Sequence, residues 1–248
     1  MSERQTSRPV ALITGAARRV GATIARTLHG AGYDLALHYR HSGDAMQALC
    51  AELEAARGGS TLALAAELAE VERLPQLVDA CMARYGRLDA LVNNASAFLP
   101  TPLGSATPAQ WDTLFASNAQ APFFLAQAAA PHLRAARGAI VNIVDIYAQR
   151  PLAAHPLYCM AKAALAMMTL SLARELAPQV RVNGVAPGAV LWPEGKGYTD
   201  QQDLIAHTPL QRAGAPTDVA AAVLFLLRDA SFTTGHIVPV DGGRLLML

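Results

Sequence analysis

Apolar runs of strand length alternate along the chain with longer stretches whose apolar positions recur at helical spacing. The first strand falls at residues 9–14, a helix at about 20–28 and a second strand at 33–38. The rhythm continues with a helix at 45–56, a strand at 61–66, a helix at 71–85 and a strand at 89–92. A long helix then lies around 111–133, followed by a strand at 139–144, a helix at 159–176 and a strand at 181–185. Just past Pro216, with Thr217 as a candidate cap, a helix is expected at 218–227, and a last strand at 236–240. Seven strands with intervening helices predict an α/β fold, a doubly wound, largely parallel seven-stranded sheet with helices on both faces. No Pro/Gly/Ser-rich linker and no fixed-period repeat divides the chain, so residues 1–248 read as one domain. The rhythm breaks at about 188–208, where Pro193, Gly195 and Gly197 follow the carboxyl end of a strand; insertions at that place commonly cover a ligand.

Composition narrows the function. Hydrophobic residues make up 52% of the 248, and 20 basic side chains nearly balance 19 acidic ones. No broad field exists to hold nucleic acid or an anionic membrane, so any basic site must be local. The polar N-terminus lacks the apolar core of a signal peptide, and no run of about 18 apolar residues occurs. Cys50, Cys81 and Cys159 are too scattered for a disulfide framework or a metal site, which fits a reducing, cytoplasmic setting. Of the 20 basic residues only Lys162 and Lys196 are lysines, so a lysine here invites a chemical reason.

Two short segments point to a dinucleotide. Thr14-Gly15-Ala16-Ala17-Arg18-Arg19-Val20-Gly21 joins the first strand to the first helix, where backbone amides and a helix N-terminus can meet a pyrophosphate. After the second strand, an NAD site would place an acid on the ribose about 20 residues beyond the glycines. This chain reads His38-Tyr39-Arg40-His41-Ser42, donors suited to a 2′-phosphate, which implies NADPH over NADH. The alternative for Arg40 and His41 is an ordinary solvated turn.

Tyr158-Cys159-Met160-Ala161-Lys162 sets a phenol and an ammonium on one face at the start of a helix. The adjacent cation is expected to favour phenolate and draw the tyrosine toward the working pH range, as proton delivery after hydride transfer requires.

With these segments, Asn93-Asn94-Ala95, Asn118 and Pro187-Gly188, the chain resembles a short-chain dehydrogenase/reductase of Rossmann-like fold over nearly all its length. The resemblance implies that Lys162 holds the nicotinamide ribose, Tyr158 transfers the proton and Asn118 maintains a water-linked path to the lysine. It further implies that Asn94 and Ala95 stand beside the cofactor, that Pro187 and Gly188 lie by the nicotinamide, and that homotetramers are common. Departures from the family pattern are informative. Arg19 replaces the middle glycine of the usual turn, Ser96 stands where a glycine is common, and Glu67 occupies the place of an aspartate near the adenine. Asp145, thirteen residues before Tyr158, replaces the usual carbonyl-binding serine. A carboxylate there repels an alkoxide and suits a substrate that protonates on nitrogen.

The turn, the His38–Ser42 stretch, Asn-Asn-Ala-Ser-Ala-Phe-Leu-Pro-Thr-Pro at 93–102 and Val144-Asp145 together resemble the pteridine reductase branch. That likeness implies a pterin stacked on Phe98, its edge bound by Ser96 and the cofactor phosphates, with Arg19 contributing a guanidinium and Asp145 with Tyr158 managing protons. The alternative for Phe98 is core filling. Cys159 reads as a packed side chain, and His155, Trp192 and Tyr198 are candidates to face the pocket. The apolar Leu245-Leu246-Met247-Leu248 end suggests burial against another subunit. The expected activity is NADPH-dependent reduction of a dihydropterin such as dihydromonapterin or dihydrobiopterin, or of dihydrofolate, to the tetrahydro form, with no metal. The alternatives are a carbonyl or 3-oxoacyl reductase and a non-enzymatic NADP(H) sensor.

Overall fold

In the computed structural model, which describes residues 8–190 and 204–248, the seven strands form one sheet. They are β1 (Val10–Ile13), β2 (Asp34–Tyr39), β3 (Thr61–Ala65), β4 (Ala90–Asn93), β5 (Ala139–Ile143), β6 (Arg181–Pro187) and β7 (Ile237–Val240). Their order is β3-β2-β1-β4-β5-β6-β7, and every neighbouring pair is parallel. The winding reverses between β1 and β4, the point at which an open α/β sheet leaves a crevice beyond its carboxyl ends.

The helices are α1 (Arg19–Gly30), α2 (Gly43–Ala56), α3 (Leu74–Tyr85), α4 (Pro108–Phe115), α5 (Ala121–Ala136), α6 (Pro156–Glu175) and α7 (Pro216–Leu224). Alternation along β1 shows how the layers form. Ala11 and Ile13 pack with α1, α2 and α7, whereas Val10 and Leu12 pack with α3 and α5 on the opposite face. Burial on both faces explains the near-continuous apolar strands. Helix α6 has a mean hydropathy of 1.3 over its 18-residue window. Length and composition would let it cross a bilayer, yet its Tyr158, Lys162, Leu165 and Thr169 are buried in the fold.

Several expected boundaries shift, three of them for a clear local reason. The long helix around 111–133 is interrupted by a π-helical turn, Ala116–Gln120, which separates α4 from α5. The helix at 71–85 begins as a 3₁₀ turn, Val71–Arg73, and becomes α-helical only at Leu74. Thr217 is not a cap: α7 starts at Pro216, and the Asp218 carboxylate accepts from the backbone N–H of Ala215 at 2.8 Å, satisfying a donor ahead of the first turn.

At the other end of the central strands, Asp89 ties several segments together. Its carboxylate accepts from the Val10 N–H at 2.8 Å and from two nitrogens of Arg87 at 2.8 and 2.5 Å. Asp89→Ala leaves the buried start of β1 with an unpaired donor and is expected to cost about 1–3 kcal/mol. A lowered urea midpoint with an unchanged slope is the expected readout; a wild-type midpoint would contradict it.

Candidate active site

The turn after β1 is clamped to the end of β4. Thr14 Oγ1 accepts from the backbone N–H groups of Asn94 and Ala95, both at 3.0 Å. The Asn94 amide donates back to the carbonyls of Thr14 and Gly15 at 2.9 and 3.0 Å. Close approach explains the glycines. A Cβ on Gly15 would lie 2.9 Å from Ala95 Cα, and one on Gly21 would lie 2.2 Å from the Gly15 carbonyl oxygen. Arg19 has φ +52°. Glycine adopts this left-handed backbone without strain, whereas an arginine bears about 1–2 kcal/mol for it. Arg18 precedes α1 in an extended conformation and makes no side-chain capping bond. The tight glycines and this helix N-terminus fit a pyrophosphate.

A cleft of about 480 Å³ runs from that turn across the sheet edge. Gly15, Arg18, Arg19, Gly21, Arg40, Glu67, Asn94, Ala95 and Ser96 line it together with Asp145, Tyr158, Lys162, Pro187 and Gly188. Tyr39, Arg40, His41 and Ser42 line a recess of about 200 Å³ that shares Gly15 and Arg18. Arg40 donates to Glu67 at 3.3 Å, and both side chains remain substantially exposed. Such a pair contributes little to stability and leaves guanidinium donors for an anion.

The chemistry converges where β5 ends and α6 begins. Tyr158 Oη donates to Asp145 Oδ2 at 2.6 Å, while Asp145 Oδ1 accepts from the Tyr147 N–H at 2.9 Å as the 3₁₀ turn Ile146–Ala148 begins. Lys162 Nζ donates to the Ile143 carbonyl at 2.9 Å and lies 5.8 Å from the Tyr158 ring centre. Burial pushes the Asp145 carboxyl above the usual carboxylate range, and burial lowers Lys162 to about 8, partly offset by Asp145. Tyr158 moves opposite to the sequence expectation. Burial, then the charge and hydrogen bond of Asp145, push its phenol well above 10. Burial and the carboxyl group in direct contact both favour the protonated phenol, so Tyr158 rests as a phenol rather than a phenolate.

Asn118 lies in the π-helical turn and is fully buried. Its amide donates to the carbonyls of Ala97 and Leu114, both at 2.9 Å, and its oxygen accepts from the Ser96 hydroxyl at 2.7 Å. The π-helical turn thus orients the Ser96 hydroxyl, which lines the same cleft as Tyr158. A second buried chain runs from Asn93 to Asn142 at 2.8 Å and on to Thr169 at 2.9 Å, locking β4, β5 and α6 together.

Phe98 is 43% exposed, so it is not core filling. It packs edge-on to Tyr158 with ring centres 4.7 Å apart and stacks on His155 at 4.7 Å. His155 is buried, with Nδ1 2.7 Å from the Ala153 carbonyl. Cys159 is half-buried, and its sulfur accepts from the Leu152 N–H at 3.3 Å. Trp192 and Tyr198, and most of the expected 188–208 loop, lie outside the described residues. At the C-terminus, Leu246, Met247 and Leu248 are exposed, whereas Leu245 packs against the cluster around Val144 and Ile146. Among the described residues no group of three or more His, Cys, Asp or Glu side chains could hold a metal. His38, quoted with the 2′-phosphate segment in the sequence, is buried in the cleft wall with both ring nitrogens bonded to backbone groups, which takes it out of that donor set.

A family model described as "Enoyl-(Acyl carrier protein) reductase" matches residues 15–244. The chain is 39% identical to "Pteridine reductase 1" of Leishmania tarentolae, with 96% of each protein covered. It is 36% identical to "Granaticin polyketide synthase putative ketoacyl reductase 2" of Streptomyces violaceoruber, covering 96% of this chain and 97% of that one. It is 33% identical to "3-oxoacyl-[acyl-carrier-protein] reductase FabG" of Staphylococcus aureus, covering 95% and 98%.

Gly21→Ala places a methyl carbon 2.2 Å from a backbone oxygen, so the turn must shift. The variant is expected to melt at a lower temperature and to bind NADPH at least about tenfold more weakly. Wild-type affinity in a fluorescence titration would show that this turn does not hold the dinucleotide.

Proposed function

The chain belongs to the short-chain dehydrogenase/reductase family of oxidoreductases, whose members use NAD(P)H, and within it we propose an NADPH-dependent pteridine reductase acting on a dihydropterin. One observation carries the choice of substrate: a buried carboxyl group 2.6 Å from the Tyr158 hydroxyl, in the cleft that also holds Lys162, Pro187 and Gly188. A reductase that forms an alkoxide gains from a neutral or positive donor at that place. A carboxylate destabilises such an oxygen but accepts and returns protons to a ring nitrogen. The relative from Leishmania tarentolae supports the same reading.

The described residues have these roles. Arg40, His41 and Ser42 meet a 2′-phosphate, with Tyr39 beside it and Glu67 near the adenine. The turn from Gly15 to Gly21, with Arg18, Arg19, Asn94, Ala95 and Ser96, holds the rest of the dinucleotide. Lys162 fixes the nicotinamide ribose, and Pro187 and Gly188 border the ring. When bound, NADPH supplies hydride to C6 of the dihydropterin. Asp145 and Tyr158 share a proton that both bind tightly, and they supply it toward N5, directly or through water. Ser96 and Arg19 contact the pterin edge, and the exposed Phe98 ring provides a flat apolar surface. Asn118 keeps Ser96 oriented through its 2.7 Å hydrogen bond.

A second reading, 3-oxoacyl or other carbonyl reduction, is favoured by the named ketoacyl and 3-oxoacyl reductase relatives. In that case Asp145 is tolerated rather than used. A panel of dihydromonapterin, dihydrobiopterin, dihydrofolate, ketones and 3-oxoacyl thioesters, read by NADPH absorbance, separates the two. Turnover of dihydropterins above all ketones is expected. For Asp145→Ser, pterin turnover is expected to fall by about two orders of magnitude, within the usual range for loss of a proton-transfer group, with NADPH affinity retained. Ketone turnover exceeding pterin turnover in the native enzyme would overturn the proposal. NADPH binding without turnover anywhere on the panel would point instead to a nucleotide sensor.

A further inference from the structure

His38 belongs to the cleft wall, is 2% exposed and takes no part in the proposed reaction. Its ring is bonded on both nitrogens. The Gly15 N–H donates to Nδ1 at 3.2 Å, and Nε2 lies 3.1 Å from the Ala66 carbonyl oxygen. A backbone amide only donates, so Nδ1 must carry the lone pair. In a neutral ring the proton then sits on Nε2, where it meets the carbonyl acceptor. The His38 backbone adds a third tie, since its carbonyl accepts from the Ala16 N–H at 2.9 Å. One residue thus joins the turn after β1 to the segment leaving β3, which carries Glu67.

We propose that neutral His38 is a positioning residue for the dinucleotide: it fixes the Gly15 turn by accepting from its amide, and protonation of the ring releases that turn and weakens cofactor binding. The inference rests on the reading of this cleft as the NADPH site. A proton on Nδ1 would set two donors against each other across 3.2 Å. Because Gly15 is also clamped by Asn94, movement of one amide is transmitted to the whole turn.

The charges around the ring set the direction. Burial is the largest influence and lowers the His38 pKa below the ordinary histidine value; the bond to Ala66 and the Glu67 carboxylate act against it. Arg40, at the end of the same strand, is paired with Glu67, and Arg18 and Arg19 line the cleft from the turn. At neutral pH the ring is therefore uncharged and the turn held. Binding that needs the neutral ring is at full strength above the pKa of His38 in the apo-protein and weakens as pH falls through it.

The test measures binding of NADPH and NADH to the apo-protein by fluorescence between about pH 5 and 8, the range of histidine chemistry. Affinity for both nucleotides is expected to fall about three- to tenfold on acidification, the size of one lost hydrogen bond. Loss with NADH excludes titration of a 2′-phosphate as the cause, and comparison with His38→Asn separates His38 from Lys162 and Asp145, whose shifted groups line the same cleft. His38→Asn offers Oδ1 in place of Nδ1 and does not titrate. It is expected to bind near the native level at pH 7 and to lose the part of the acid-side fall that belongs to His38. His38→Leu is expected to bind more weakly at every pH. ¹⁵N NMR of the apo-protein is expected to show the Nε2–H form of His38 at neutral pH. A pH-independent native affinity for NADH, a native slope retained in His38→Asn, or an Nδ1–H tautomer would each overturn the inference. Failure of the native protein to bind either nucleotide at pH 7 would overturn the reading of the cleft itself, a result distinct from flat binding.

Discussion

The hydrogen bond between Tyr158 and Asp145 is the contact from which the chemistry of this cleft takes its character. Two groups that would each be ordinary in water are buried together at 2.6 Å. Burial penalises the charged form of both, and the negative charge of one further disfavours ionisation of the other. The result is a proton held between two oxygens. Lys162 stands behind this pair, bonded to the Ile143 carbonyl rather than to the phenol. Its cation moderates the charge of Asp145 without drawing the phenol into its ionised form.

The scaffold makes that geometry cheap to hold. Tyr158 and Lys162 occupy one face of α6, while Asp145 begins the turn that follows β5; the Asn93–Asn142–Thr169 chain fixes β4, β5 and α6 against each other. Thr14 and Asn94 perform the same service between β1 and β4, on the side where the sheet order reverses. The two halves of the cleft are thus built by neighbouring central strands. Local backbone strain appears where the sequence departs from glycine, at Arg19, while Gly15 and Gly21 occupy positions that would not admit a Cβ without movement.

Much of this was legible from the sequence because it depends on periodicity and short spacings. Strand-length apolar runs separated by helical stretches predict the parallel sheet, and a phenol and an ammonium one helical turn apart must share a face. Asp145 was identifiable because it stands at a position where the family carries serine. Features that depend on three-dimensional burial were not legible. Spacing placed a cation beside Tyr158 and suggested a lowered pKa, but only coordinates show that the carboxyl group is closer and that solvent is excluded. The π-helical turn that buries Asn118 leaves no mark in a continuous helical pattern, and Thr217 looked like a cap only because the reach of Asp218 back to Ala215 is invisible in a string. The string groups His38 with the donors for a 2′-phosphate; its backbone partners lie on two other segments and are invisible there.

The negative charge also bears on how one fold divides between carbonyl and nitrogen-heterocycle chemistry. Hydride addition to a carbonyl builds negative charge on oxygen, and a carboxylate facing it raises the barrier. Addition to a carbon–nitrogen double bond builds charge on nitrogen, which a nearby proton held by two tight-binding oxygens neutralises as it forms. The same pair that handicaps the first reaction serves the second. Phe98 fits this division: packed against the edge of Tyr158 and 43% exposed, it presents an aromatic surface beside the proton pair, useful to a flat ring and of no special value to a flexible acyl chain. Charge at Asp145 and shape at Phe98 therefore support the proposed reading by independent means.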